Sequence, residues 1–281
     1  MKKILITGAN SYIGTSFEKY IRDNYPDEYI VDTVDMIDGS WREKSFAGYD
    51  SVFHVAGIAH QKETKMNAPL YYSVNRDLAV ETAKKSKVEG VQQFIFLSSM
   101  SVYGIDTGVI TKETKPSPQS YYGRSKWEAE QGIMAFEDHD FKVCILRPPM
   151  VYGKGCKGNF QTVVKIVEKF SVFPHVKNER SMIYIENLNS FVKMCIDKRL
   201  GGLYFPLNRE YVCTMDMARE IAAGIGKKIR FDYVTGVGVR ILRLFLPVAR
   251  KAFGSLIYDM EEVKDYCIIS NEESVRRSVG L

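Results

Sequence analysis

Lys3-Ile4-Leu5-Ile6-Thr7-Gly8-Ala9-Asn10-Ser11-Tyr12-Ile13-Gly14 is the stretch on which the fold turns. Lys3 to Thr7 is an apolar run of strand length, and a glycine-bearing turn follows that opens a helix. Gly8 permits the tight turn, Gly14 lets helix and strand approach closely, and the N–H groups at the helix N-terminus form a seat for a pyrophosphate. Asn10, Ser11, Tyr12 and Ile13 complete the loop, so they join Gly8 and Gly14 as candidate cofactor contacts. Ser11 stands where a third glycine would complete an evenly spaced set. A hydroxyl there either bonds a phosphate oxygen or crowds the ligand. Two glycines in such a turn are usually only a turn, so the residues further along have to carry the reading.

The next strand, Tyr29-Ile30-Val31-Asp32-Thr33-Val34-Asp35, ends in a carboxylate 21 positions after Gly14. That is about where such folds place the acid that bonds an adenosine ribose diol, which argues for NAD. Arg42 and Lys44 follow in the next loop and suit the 2′-phosphate of NADP instead. A third strand, Ser51-Val52-Phe53-His54-Val55-Ala56-Gly57, ends in the small residues Ala56 and Gly57, which allow close backbone approach to a cofactor. His54 reads as a strand residue, and nothing near it resembles a metal set.

Gln93-Phe94-Ile95-Phe96-Leu97 leads into Ser98-Ser99, which puts a hydroxyl at the carboxyl end of a strand, where ligands bind in such sheets. Beyond it, Tyr122 and Lys126 are spaced i, i+4 and share a helix face. An ammonium beside the phenol would favour its ionised form, lowering a pKa that is ordinarily about 10 and fitting it for proton transfer. Strands near 3–7, 29–35, 51–56, 92–97 and 141–147 alternate with helices near 12–24, 70–88 and 121–138. The expected fold is α/β, a doubly wound parallel sheet. Residues 1–150 form the dinucleotide-binding part and 151–281 most of a smaller substrate-binding part, interleaved with the last strands of the sheet.

These motifs together resemble the extended short-chain dehydrogenase/reductases that act on nucleotide sugars, the NAD-dependent epimerase/dehydratase family. The resemblance rests on Thr7-Gly8 with Gly14, Asp35, His54-Val55-Ala56-Gly57, Val74-Asn75, Ser98-Ser99 with Val102-Tyr103-Gly104, Tyr122-Gly123-Arg124-Ser125-Lys126 and Leu146-Arg147-Pro148-Pro149-Met150-Val151-Tyr152-Gly153. It implies Ser99 as the catalytic serine, Tyr122 as the acid/base and Lys126 as the residue that bonds the nicotinamide ribose. It also implies Asn75 as a supporting asparagine and Pro149, in the Pro148-Pro149 turn, as part of the wall behind the nicotinamide. Dehydratases of this family carry an Asp-Glu pair after the catalytic Ser or Thr. Met100 and Ser101 stand there, so dehydration is rejected. Asn159 and Arg180 resemble residues that grip the diphosphate and nucleoside of a UDP-sugar.

Within the family, the run Arg147 to Phe160 is similar to bacterial capsule and O-antigen enzymes that reduce a UDP-4-keto-6-deoxy-N-acetylhexosamine with NAD(P)H. UDP-glucose and UDP-GlcNAc 4-epimerases with tightly held NAD share Ser, Tyr and Lys and are the alternative. A dinucleotide-binding sensor is the non-enzyme alternative, and the filled Ser99, Tyr122 and Lys126 positions argue against it. The resemblance further suggests a homodimer through the 70–88 and 121–138 helices.

Composition fits an ordinary globular enzyme: 281 residues, 45% hydrophobic and 26% charged. No run reaches the roughly 18 apolar residues of a membrane span, and no secretory signal is seen. Five scattered cysteines without a CxxC pair read as reduced thiols of a cytoplasmic protein. A net charge of +5 suits an anionic sugar nucleotide but lacks the basic, aromatic clusters of a nucleic-acid site. Val237 to Lys251 is apolar with Arg and Lys at intervals. It reads as a packed cap helix interrupted by Pro247, with a membrane-surface helix as the alternative and Arg250 or Lys251 as a second phosphate contact.

Overall fold

The structure, a computed structural model, describes residues 1–59, 61–245, 247–260 and 265–280. It divides into two compact units: Met1–Gly104, Pro116–Pro148 and Leu188–Pro206 in the first, Ile105–Lys115, Pro149–Asn187 and Leu207–Leu281 in the second.

The first unit is built on six parallel strands in the order Gly202–Tyr204, Lys142–Leu146, Gln93–Leu97, Ser51–His54, Lys2–Thr7, Tyr29–Val34. Side chains on both faces are buried, including Ile4, Leu5, Ile6, Val52, Phe53, Phe94, Ile95 and Phe96, which is why the strands read as continuous apolar runs. From Lys2–Thr7 the chain passes to Tyr29–Val34 on one side and then crosses to Ser51–His54 on the other. The strand order therefore reverses between Lys2–Thr7 and Ser51–His54, and a crevice at such a switch point is where ligands bind.

Helix Tyr12–Asn24 buries Gly14, Phe17, Tyr20 and Ile21, an i, i+3, i+6, i+7 stripe against the sheet. The expected helix at 70–88 is instead Ala68–Tyr72 and Leu78–Val88 joined by a π-helical turn, Ser73–Asp77. The helix that carries Tyr122 runs Tyr121–Met134 and stops short of 138. The short Gly202–Tyr204 strand completes the sheet beside Lys142–Leu146. With three residues it has no periodicity to read.

The second unit holds three parallel strand pairs, Met150–Tyr152 with Met182–Tyr184, Val172–Pro174 with Arg230–Asp232, and Gly108–Ile110 with Leu256–Tyr258. Helices Asn159–Lys169, Thr214–Gly224, Tyr233–Phe245, Pro247–Phe253 and Asn271–Val279 belong to it. Among the described residues no helix is long and apolar enough to cross a membrane.

Candidate active site

The glycine turn lies at the switch point. Gly8 has φ +115°, a left-handed conformation that a side chain strains, and a Cβ there would come within 2.7 Å of Ala56 N. Thr7 O accepts from the N–H groups of Val55 (3.1 Å) and Ala56 (2.9 Å), which draws the ends of two strands around Gly8. Asn10 also takes positive φ, +63°. Ser11 is the N-cap of Tyr12–Asn24, and its Oγ accepts from Gly14 N at 3.2 Å. Its hydroxyl oxygen is thus built into the helix start. The backbone cradle and the positive pole of the helix fit a pyrophosphate.

Asp35 follows the Tyr29–Val34 strand directly and is exposed, with Oδ1 accepting from Ile37 N at 2.8 Å. Arg42 is turned away to Glu81, donating through Nε (2.6 Å) and Nη2 (2.5 Å).

Ser99 caps the short turn Met100–Tyr103, and its Oγ lies 3.1 Å from Ser101 Oγ. The Ser99 hydroxyl stands near enough to the Tyr122 phenol to favour its ionised form. The Tyr122 pKa is raised by burial, with the Ser99 hydroxyl opposing the effect and the neighbouring Tyr71 phenol adding to it. This corrects the expectation of a phenol lowered by Lys126. The Lys126 ammonium instead donates to Leu97 O at 2.8 Å and stands 4.6 Å from the centre of the Phe96 ring. Burial brings the Lys126 pKa down to about 8, while the Glu130 carboxylate acts in the opposite direction.

Asn75 sits fully buried in the π-helical turn, a feature that recurs at functional sites. Its Oδ1 accepts from Ile58 N (2.8 Å), and its Nδ2 donates to Ile58 O (3.1 Å) and Ser125 Oγ (3.2 Å). It therefore clamps the loop after Gly57 to the Tyr122 helix. A Cβ on Gly57 would lie 2.9 Å from Asn75 Oδ1 and 3.3 Å from Lys126 Nζ, so glycine, asparagine and lysine converge at one point. His54 is buried between Phe94 and Phe96, with Nδ1 2.7 Å from Thr7 Oγ1 and its pKa brought down by burial to about 3. It is a neutral strand residue.

Two carboxylates at this site were missed from sequence. Glu63 accepts from Tyr121 N (2.8 Å) and Tyr122 N (3.1 Å), placing an anion on the N-terminus of the Tyr122 helix. Glu130 accepts from Ser98 Oγ and from Arg147 Nε and Nη2, and Arg147 Nη1 donates to Tyr103 OH at 2.8 Å. The only sequence signal for Glu130 was its position four residues after Lys126 on the same helix face.

The second unit, taken by itself, brings Asn159 and Arg180 to one cavity of about 170 Å³ that Lys251 also lines. Asn159 is the first residue of its helix. Arg180 Nη1 donates to Gly254 O at 2.8 Å. Pro149 opens this unit, just before the Met150–Tyr152 strand. Arg250 lines a different cavity, of about 430 Å³, and Lys251 Nζ is 3.6 Å from Asp106 Oδ1. Among the described residues no group of His, Cys, Asp and Glu could hold a metal ion.

The model of the NAD dependent epimerase/dehydratase family matches residues 4–202. The chain belongs to that family. A UDP-glucose 4-epimerase of Vibrio cholerae is 32% identical over 251 residues, covering 80% of this chain and 76% of that protein. An N-acetyl-α-D-glucosaminyl-diphospho-ditrans,octacis-undecaprenol 4-epimerase of Escherichia coli O157:H7 is 25% identical over 246 residues, 80% of this chain and 73% of its own. Among solved structures, UDP-glucuronic acid 4-epimerase from Bacillus cereus in complex with NAD superposes with a TM-score of 0.75 at 18% identity, over 99% of this chain and 95% of that one. The family and the parallel sheet expected from sequence are both shown. This member of the epimerase/dehydratase family is an enzyme of the short-chain dehydrogenase/reductase type.

Proposed function

We propose that the enzyme interconverts C4 epimers of a UDP-linked hexose. The observation that carries the reading is that Lys126, one helical turn from Tyr122, reaches the Leu97 carbonyl at the carboxyl end of the strand that leads into Ser99, so the three groups stand at one end of the sheet. In its ionised form Tyr122 takes the proton from the C4 hydroxyl, and as the phenol it later returns it. Ser99 holds the C4 oxygen in line with the phenol, and Lys126 holds the nicotinamide ribose. Asn75 and Glu63 fix the helix on which Tyr122 and Lys126 stand. A bound nicotinamide dinucleotide supplies the acceptor and donor of hydride. Arg180 and Asn159 are assigned to the sugar diphosphate, the guanidinium as a charge-assisted donor and Asn159 at a helix N-terminus that favours anions. The Vibrio and Escherichia relatives support the reading, since both are named for C4 inversion of a diphosphate-linked sugar.

A second reading, reduction of a UDP-4-keto-6-deoxy-N-acetylhexosamine for capsule or O-antigen synthesis, is favoured by the likeness of Arg147 to Phe160 to such reductases. The experiment that separates them uses two incubations. UDP-glucose or UDP-GlcNAc inverted at C4 without added cofactor or net oxidation supports the epimerase. Stoichiometric loss of reduced-nicotinamide absorbance with the 4-keto sugar supports the reductase. If neither substrate is turned over, C4 chemistry on UDP-sugars is abandoned.

The cofactor is assigned as NAD. Asp35 faces solvent at the strand end, and Arg42, which would otherwise suit a 2′-phosphate, is held by Glu81. NADP(H) is expected to bind about tenfold or more weakly than NAD(H), since a carboxylate repels the extra phosphate. Calorimetric titration of both checks this, and a preference for NADP(H) removes the role given to Asp35.

A further inference from the structure

From sequence, Val237 to Lys251 reads as a packed cap helix, with a membrane-surface helix as the alternative, and the structure leaves most described side chains of helix Tyr233–Phe245 uncovered. In helix Tyr233–Phe245 only Gly236 is buried among the described side chains, set against the His175 carbonyl. Val234 (79% exposed), Val237 (53%), Ile241 (54%), Leu244 (72%) and Phe245 (74%) stand in solvent. Val234, Val237, Ile241 and Leu244 follow steps of three and four, and Phe245 lies four after Ile241, which places them on one helix face. Leu246, the next apolar residue, lies outside the described residues.

A face of this kind costs free energy unless something apolar covers it. The sequence from Tyr233 to Phe253 contains Arg240, Arg243, Arg250 and Lys251 and no Asp or Glu. Arg240 is exposed, and Lys228 and Arg230, just before the helix, are exposed too; Asp232, the one acid there, is engaged in the first turn, accepting from Thr235 N at 2.7 Å, so cations outnumber acids. Lys251 is offset by Asp106. Two copies of the chain meeting through this face would bring like charges together. A surface both apolar and anionic satisfies stripe and cations at once, and that is the chemistry of a bilayer rich in acidic phospholipid. At 13 residues, about 20 Å long, the helix cannot span a bilayer but can lie in its interface.

We infer that the Tyr233–Phe245 helix docks this enzyme on an anionic membrane surface, its apolar stripe set among the acyl chains and Arg240 at the headgroups. The inference is independent of the C4 chemistry, because vesicle binding requires no turnover.

The test is co-sedimentation of the full-length protein with phosphatidylcholine vesicles and with vesicles of phosphatidylcholine and phosphatidylglycerol. Binding is expected to the anionic vesicles, to weaken as salt rises, and to fall about tenfold or more in Ile241→Glu/Phe245→Glu. Arg240→Glu should lose binding severalfold on anionic vesicles only. The altered side chains are exposed, so thermal melting should be unchanged. Equal binding by wild type and variants overturns the inference. So does absence of vesicle binding together with a concentration-dependent dimer that the same substitutions abolish, which would make the face a self-association surface.

Discussion

Tyr122→Phe is expected to slow C4 turnover by about 10²- to 10⁴-fold, the usual worth of a positioned proton-transfer group. Affinity for the dinucleotide should be nearly unchanged. The substitution removes one oxygen and keeps the ring, so helix Tyr121–Met134, the Glu63 cap on its first N–H groups and the Lys126 bond to Leu97 O all persist. Steady-state kinetics should show the loss in kcat, with the melting temperature preserved. A variant within a factor of about three of wild type would show that another group moves the proton. Lys126 adds a pH signature: with its pKa near 8, its positive charge and any ribose contact that depends on it fade as pH rises through that value. Burial of the ammonium also works against the folded state below that pH. Between about 8 and the ordinary lysine value of 10.5 the unfolded chain binds more protons, so this contribution to stability improves as pH rises.

Glu130→Ala should destabilise the first unit by about 3–5 kcal/mol, because it leaves the buried Arg147 guanidinium without its counter-carboxylate. The side chains of Arg147 and Glu130 are only 5% and 2% exposed, so water cannot take the place of the lost carboxylate. Ser98, whose hydroxyl donates to Glu130, loses its acceptor in the same step. Glu130→Gln keeps the shape and some of the bonds and should cost less. Urea denaturation of the three proteins checks the order, and a loss below about 1 kcal/mol for Glu130→Ala would mean that the pair behaves as a solvated surface bridge. Because Ser98 precedes Ser99 and Lys126 lies one turn from Glu130, the Ala variant should also lose activity through displaced neighbours.

What could be read from sequence was local in origin. Strand runs such as Lys3 to Thr7 and Gln93 to Leu97 are apolar because both faces of the sheet are covered, and the glycine turn follows from backbone geometry that few other residues permit. The family motifs placed Ser99, Tyr122 and Lys126 within one unit at one end of one sheet. What stayed hidden depends on how distant segments meet. The helix periodicity of Tyr122 and Lys126 suggested contact between ammonium and phenol, yet the fold offers Lys126 the carbonyl of Leu97, and burial then raises the phenol instead. Ser11 looked like a phosphate ligand or an obstruction because no pattern shows which N–H its oxygen will cap. The π-helical turn at Asn75 and the Glu130–Arg147 pair join residues from separate elements and leave no periodic trace. The exposed face of Tyr233–Phe245 stood second to a packed cap helix for a related reason: an apolar helix pattern is the same whether a core or a foreign surface covers it.

The central claim, reversible hydrogen transfer at C4 governed by Tyr122, is tested most directly by incubating the enzyme with UDP-glucose deuterated at C4 and analysing the product sugar by NMR. Inverted product that retains deuterium at C4, formed by wild type and almost absent with Tyr122→Phe, is the predicted result. Loss of the label to solvent, or inversion that proceeds equally without the phenol, would contradict it.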